Sequence, residues 1–221
     1  MAVPPRPVLV TGATGYIGQR LIPALLARGH AVRALARTGS RDRVPAGAEM
    51  VVGDALDPAS VTAAARAGDT LVHLVGTPHP SPAKAAQFRR VDLPSVAASV
   101  AAARDRGAAH FVYVSVAQPA PAMQAFLAVR AEGEAMIRGA ALTATFVRPW
   151  YVLGPGHRWP LLLVPLYALA RAVPRTRDGA IRLGLVTIDQ MIAALVHAIE
   201  DPPPAGTARI VDVPAIRASR V

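Results

Sequence analysis

The chain contains no cysteine among its 221 residues. This absence excludes disulfide bonds, thiolate nucleophiles, cysteine-ligated zinc and iron–sulfur clusters. Histidine is present at six positions, but no two of them are four residues apart, which is the helical spacing of the common zinc motifs. We therefore expect no metal centre.

Lysine is almost missing as well. Of 24 basic residues only Lys84 is a lysine, so a mechanism that needs a lysine has a single candidate. The formal net charge is +10, but the arginines are spread along the chain and form neither a dense run nor a recognised DNA-reading motif. We expect no nucleic-acid partner.

The chain also lacks an apolar run long enough to cross a bilayer. Its longest apolar stretch, residues 159–173, is interrupted by two prolines and Arg171. The first residues, MAVPPRP, contain no apolar signal core, so the default expectation is a cytoplasmic protein. Two interpretations of the stretch stay open. It is either a lid or core helix over a ligand cleft, or, with the arginines of residues 158–177, a contact surface for anionic lipid or an acidic protein.

Strand and helix patterns alternate along the whole chain, which is typical of a parallel sheet covered by helices on both faces. We predict an α/β, doubly wound Rossmann fold in one domain, residues 1–221. The predicted strands are 8–11, 31–36, 49–52, 70–75, 110–115, 143–148 and 208–213. The predicted helices lie near 16–28, 58–67, 83–105, 122–139, 160–172 and 188–200, with a kink or restart at Pro94. Residues 151–187 break the alternation and are expected to form a small lobe over the carboxyl ends of the strands, where such sheets bind ligands.

The most informative stretch is VLVTGATGYIG, residues 8–18, in which an apolar strand runs through a glycine-rich turn into a helix. This arrangement predicts a dinucleotide site, because backbone N–H groups at a helix start can hold a pyrophosphate. Gly12 would make the tight turn, Gly15 would admit the phosphates, and Gly18 would let helix and strand pack closely.

The residues after the second strand indicate which dinucleotide is bound. An NAD site usually has an acidic residue there for the ribose hydroxyls, but this chain has Ala36, followed by Arg37. Arg33, Arg41 and Arg43 are nearby, and guanidinium groups suit a ribose 2′-phosphate. The sequence therefore favours NADP(H) over NAD(H), unless these arginines are ordinary surface charges.

The third strand ends in GDALD, which places Asp54 where it can accept a hydrogen bond from the adenine amino group. Asp57, directly before Pro58, is expected to cap the next helix instead.

Five segments, TGATGYIG, GDALD, LVHLVG, FVYVSV and VRPWYVLGPG, resemble the short-chain dehydrogenase/reductase superfamily in its extended, epimerase-like and atypical branches. The resemblance covers residues 8–199. It implies an active-site serine, Ser115, and a Rossmann domain that binds NAD(P). The resemblance and the glycine turn together assign a set of residues to the cofactor. These are Thr11, Gly12, Thr14, Gly15, Tyr16, Ile17, Gly18, Arg37, Asp54, Ala55, Val75, Gly76, Ser115, Arg130 and Pro149.

The departure from the family pattern concerns its Tyr-x-x-x-Lys pair, where tyrosine exchanges the proton and lysine lowers its pKa. The corresponding helix carries Phe126 and Arg130. Phenylalanine cannot act as a general acid or base, whereas Arg130 could still hold a ribose hydroxyl. Ser115, Tyr151 and His157 are the candidate substitutes, although Tyr151 is more simply a packing residue at the rim.

Two functions follow from this departure. In the first, the cofactor is structural or sensed. The chain resembles in pattern two atypical groups of the superfamily in which this is so, the nitrogen-metabolite-repression regulators and the NADPH-binding accessory subunit of respiratory complex I. In the second, the chain is an NADP-dependent oxidoreductase or epimerase-like enzyme with a substitute acid, acting on an unknown small molecule, since hydride transfer depends mainly on the cofactor and its positioning.

Overall fold

The computed structural model describes residues 4–156, 162 and 164–220. Its main sheet has seven parallel strands, and this confirms the predicted fold. They are β1 (Pro7–Thr11), β2 (Ala31–Ala36), β3 (Glu49–Val52), β4 (Thr70–His73), β5 (His110–Val114), β6 (Ala144–Val147) and β9 (Ala208–Val211). Their order across the sheet is β3-β2-β1-β4-β5-β6-β9. The chain order reverses between β1 and β4, and ligands of such sheets bind outside the carboxyl ends of the strands at this point.

Helices cover both faces of the sheet. They are α1 (Gly18–Ala27), α2 (Pro58–Ala64), α3 (Ala85–Gln87), α4 (Leu93–Arg106), α5 (Gln124–Gly139), α6 (Val164–Ala172), α7 (Pro174–Arg182), α8 (Ile188–Glu200) and α9 (Val213–Ala218). One apolar core joins α1, α8 and α9 to the sheet, and a second joins α2, α4 and α5 to its other face. The five inner strands therefore carry buried side chains on both sides and are mostly apolar, whereas the edge strands β3 and β9 are partly exposed.

The helix predicted for residues 83–105 is divided in the structure. A 3-10 turn (Pro82–Lys84) and α3 lead into a π-helical turn, Phe88–Asp92, which continues directly into α4. The backbone of Asp92 and Leu93 stays helical, so the predicted irregularity at Pro94 takes the form of a π-helical turn just before the proline and not of a break in the helix. Asp57 caps α2 as expected, and its carboxylate accepts hydrogen bonds from the amides of Ala59 and Ser60.

Residues 151–187 form a lobe with its own small sheet, in which β7 (Tyr151–Leu153) pairs in parallel with β8 (Leu185–Thr187). Helices α6 and α7 lie between these strands in the chain. Sequence patterns predicted the first of these helices, from residue 160, but not α7; residues 157–161 and 163 lie outside the described residues. Among the helices that the structure describes, none is both long and apolar enough for a membrane crossing.

Candidate cofactor-binding site

The glycine-rich turn has the close-packed geometry that its spacing predicts. Gly12 adopts a positive φ of 74°, and a Cβ at Gly18 would lie 2.5 Å from the carbonyl oxygen of Ala13. At Gly15 a Cβ would meet only the carbonyl oxygen of Gly12, at 3.2 Å. Two glycines are thus required by the fold itself, whereas Gly15 keeps open the space above the turn.

No side chain caps the start of α1. The first N–H groups of a helix have no partner within it, and together with the positive end of the helix dipole they attract phosphate. An uncapped helix that starts directly behind a glycine-rich turn fits the pyrophosphate of a dinucleotide.

On one side of the turn lies a cavity of about 180 Å³, which we call the adenosine cavity. Asp54 lines it, and its carboxylate also accepts a hydrogen bond from the Leu56 amide, 2.9 Å away, which fixes its orientation. The remaining lining residues are Gly12, Thr14, Leu35, Ala36, Arg37, Ser40, Gly53, Ala55, Leu56, Val75 and Val91.

The arginines near this cavity separate into two groups. Arg37 is exposed and lines the cavity, and Arg43 donates to the carbonyl oxygen of Thr14 at 2.6 Å. The expectation for Arg33 is wrong: its side chain is buried and forms an ion pair with Asp69. Arg33 lies inside β2, where its neighbours Val32 and Ala34 are also buried, whereas Arg37 follows the end of the strand.

On the other side of the turn lies a larger cavity of about 360 Å³, which we call the nicotinamide cavity. It shares Gly12 with the adenosine cavity, so the phosphate turn joins the two. Its lining includes Ser115 and the family-pair positions Phe126 and Arg130. The other lining residues are Gly15, Tyr16, Ile17, Gly18, Leu74, Gly76, Thr77, Pro78, His79, Pro80, Val114, Val116, Pro149, Trp150 and Val152.

Arg130 is held by an ion pair that the sequence did not suggest. Its Nη2 donates to Oδ1 of Asp92 at 2.7 Å, and its Nη1 donates to the carbonyl oxygen of Val114 at 3.0 Å. Asp92 is fully enclosed at the end of the π-helical turn and also accepts from the amide and hydroxyl of Thr77. The guanidinium is therefore neutralised and fixed in the cavity wall, and it also lies 5.0 Å from the ring centroid of Phe126.

Phe126 occupies the position of the family's tyrosine, and its phenyl ring has no polar atom that could replace the tyrosine hydroxyl. Its partly buried ring packs against Phe88, with the ring centroids 5.1 Å apart. An aromatic ring at this position supplies a wall for the nicotinamide cavity but no proton.

Ser115 belongs to a second buried network. Its Oγ donates to Oε1 of Glu134 at 2.6 Å, and the two oxygens of Glu134 also receive hydrogen bonds from Arg148. Glu134 is 4% exposed, and Arg148 pairs with it. Because the serine hydrogen is directed to Glu134, the Ser115 lone pairs remain available to a ligand.

Two predicted site residues lie away from the cavities. Thr11 is buried, and its hydroxyl lies 3.1 Å from Nδ1 of His73, so it supports the turn from beneath. Burial, reinforced by the Arg130 charge, lowers the pKa of His73 to about 3, so this histidine is neutral. Tyr151 is not part of the nicotinamide-cavity lining, although Trp150 and Val152 on either side of it are.

The position of Tyr151 follows from the alternation of side chains along an extended segment. Its ring packs edge-on against Trp150, and partial burial raises the pKa of its hydroxyl. The packing interpretation of Tyr151 thus agrees with the structure better than a catalytic one. His157 lies outside the described residues.

Comparison with known proteins agrees with this geometry. The model of the NAD(P)H-binding family matches residues 12–157, about two thirds of the chain, and the chain belongs to this family. Its fold is that of the short-chain dehydrogenase/reductase superfamily, which confirms the resemblance. A nicotinamide dinucleotide is therefore its cofactor.

Curated relatives are reductases. A ceramide reductase of Caulobacter vibrioides is 30% identical over 200 residues, which cover 88% of this chain and 61% of that protein. A 3-diazoavenalumate denitrifying reductase of a Streptomyces species is 32% identical over 220 residues, covering 87% of this chain and 72% of the relative. The chain is thus considerably shorter than these relatives.

Solved structures show the same fold at lower identity. A superfamily protein from Agrobacterium tumefaciens with bound NAD has a TM-score of 0.66 at 17% identity, over 95% of this chain and 80% of that one. MoeE5 in complex with UDP-glucose and NAD has a TM-score of 0.68 at 21% identity, over 95% and 79%.

Proposed function

We propose that this chain is an NADP(H)-dependent reductase that works without the family's tyrosine acid. The observation that carries the proposal is the nicotinamide cavity itself. It opens beside the glycine turn, and its lining includes Ser115 and mostly apolar side chains. Curated relatives of the chain are reductases, which supports hydride transfer.

The missing tyrosine does not rule out catalysis. Hydride transfer is chemistry of the cofactor, and the protein contributes binding, orientation and exclusion of water. Loss of a general acid typically costs only about 10²–10⁴-fold in rate. When bound, NADPH would supply the hydride and water the proton, while the Ser115 hydroxyl would turn from Glu134 and donate a hydrogen bond to the carbonyl oxygen that is reduced.

The lining also indicates the class of substrate. Its charged side chain Arg130 is already neutralised by Asp92, and much of the remaining wall is apolar, including Pro78, Phe126 and Trp150. A neutral, largely apolar molecule would lose little hydration on entering such a cavity. We therefore expect an apolar substrate with one reducible group.

A second candidate function is binding without turnover, with the cofactor structural or sensed. The specific observation in its favour is the pair of Phe126 and the immobilised Arg130, which provides neither a proton nor a mobile cation. The two candidates share the cofactor and differ only in whether NADPH is consumed.

A titration followed by a turnover screen separates them. NADPH fluorescence measures binding, and NADPH absorbance then reports oxidation with long-chain 3-oxo esters, quinones and long-chain unsaturated ketones. We expect binding and oxidation, with Ser115→Ala lowering the rate about tenfold or more at unchanged NADPH affinity. Ser99→Ala, a buried serine hydrogen-bonded to His73, serves as the control. Binding without oxidation of any probe would favour the sensor, and absence of binding would eliminate both candidates.

Cofactor choice is tested at Arg37. We expect Arg37→Ala to weaken NADPH binding about 10- to 100-fold and to leave NADH binding unchanged, because only NADPH has a 2′-phosphate for charge-assisted hydrogen bonds. Arg66→Ala removes a guanidinium that is similarly exposed and lies outside the adenosine cavity, and it should change neither affinity. Equal effects of Arg37→Ala on both cofactors would refute the preference for NADP(H).

A further inference from the structure

The outer face of the lobe concentrates exposed apolar side chains. Leu162, Leu169 and Val173 are 84%, 65% and 43% exposed, and they lie within twelve residues of one another in the chain. Across the described residues only three other large apolar side chains are comparably exposed, and they lie elsewhere in the sequence. Such a concentration of exposed large apolar side chains in one short segment favours an interaction surface over ordinary surface composition.

The same segment is strongly basic. Residues 158–182 contain five arginines against a single acidic residue, Asp178. Arg175 and Arg177, in the first turn of α7, are exposed, and the described residues provide no ion pair for either. The apolar face of α6 is therefore bordered by uncompensated positive charge.

We propose that this outer face, formed by Leu162, α6 and the start of α7, docks on an anionic phospholipid surface. Apolar side chains beside a basic border are the pattern of helices that lie in the membrane interface. Each arginine near an anionic surface adds electrostatic attraction that salt screens. A second copy of the chain fits poorly, because dimerisation through this face would bring two basic surfaces together.

The lobe also connects the docking face to the nicotinamide cavity. Tyr167 of α6 hydrogen-bonds to Trp150, and Trp150 lines that cavity. Docking through α6 would thus place the cavity close to the lipid, from which an apolar ligand could enter. The docking proposal does not depend on turnover and holds for a reductase or a sensor.

Co-sedimentation of the full chain with vesicles tests the proposal. We expect binding to phosphatidylcholine vesicles that contain phosphatidylglycerol, little binding to phosphatidylcholine alone, and weaker binding at high salt. Leu169→Glu, and separately Arg175→Glu combined with Arg177→Glu, should each lower the partition coefficient at least about tenfold. Circular dichroism melts establish that the variants remain folded.

Matched variants elsewhere on the surface make the comparison specific. Ile210→Glu changes an exposed apolar residue at the edge of the sheet, and Arg90→Glu with Arg104→Glu reverses two exposed charges for which the described residues likewise provide no ion pair. These variants should bind vesicles like the unmodified chain. Equal losses for control and test variants, or binding that ignores lipid charge, would overturn the proposal. So would a dimer in solution that Leu169→Glu dissociates, because a second copy would then occupy the face.

Discussion

Replacing Asp92 by alanine is expected to destabilise the protein by about 3–5 kcal/mol. The carboxylate is fully buried, pairs with Arg130 at 2.7 Å and accepts two hydrogen bonds from Thr77. Its removal leaves a buried guanidinium without a counter-charge, and the cost of an uncompensated charge exceeds that of the lost contacts. Urea unfolding of the apoprotein measures the effect.

Two further variants show whether the pair itself is responsible. Glu132→Ala removes the carboxylate of an ion pair with Arg89 whose side chains are 43% and 62% exposed, and it should cost less than about 1 kcal/mol. Asp92→Ala combined with Arg130→Met should recover part of the lost stability, because no buried charge remains. If the double variant loses as much free energy of unfolding as Asp92→Ala and Arg130→Met lose together, the proposed pairing contributes little.

Gly15→Ala is expected to leave the fold intact and to weaken NADPH binding at least about 100-fold. The new Cβ would meet only the Gly12 carbonyl oxygen, at 3.2 Å, which requires a shift of a few tenths of an ångström. The same methyl group would occupy the space through which the turn approaches the pyrophosphate. Gly12 and Gly18 are less informative positions, because a Cβ at either lies under 3.0 Å from backbone atoms and would disturb the turn itself.

Fluorescence titration with NADPH and a thermal melt are the two measurements for Gly15→Ala. The control is Gly39→Ala, at an exposed position near the adenosine cavity where a Cβ meets nothing within 4 Å. It should retain both affinity and stability. Unchanged NADPH affinity in Gly15→Ala would show that the phosphates do not lie over the turn.

The parts of the structure that depend on neighbouring residues in the sequence were predictable. The apolar run before Gly12 and the helix after Gly18 define the turn locally, and β2 was placed with the bounds that the structure shows. Pro94 predicts an irregularity in the helix, because proline removes a backbone donor, and a π-helical turn precedes it. Local signals therefore suffice to predict the glycine turn and the helix behind it.

The polar networks of the nicotinamide cavity were not predictable, because they join residues distant in the chain. Arg130 and its partner Asp92 are 38 positions apart in the chain, and Ser115 and its partner Glu134 are 19 positions apart. The π-helical turn that presents Asp92 has no clear sequence pattern. Arg33 shows that closeness in sequence can also mislead. It lies four residues before Arg37, which suggests a shared role, but it lies inside β2 and its side chain is buried in an ion pair with Asp69.

The central claim is that one crevice holds a complete NADP(H) molecule, with the pyrophosphate over the glycine turn and the nicotinamide beside Phe126. A crystal structure of the chain with NADPH tests it most directly. We predict the 2′-phosphate at Arg37, the pyrophosphate at the amides that begin α1, and the nicotinamide ring within van der Waals contact of Phe126 and next to Ser115. A crevice that stays empty at saturating NADPH, or a nicotinamide bound outside that cavity, would contradict the account.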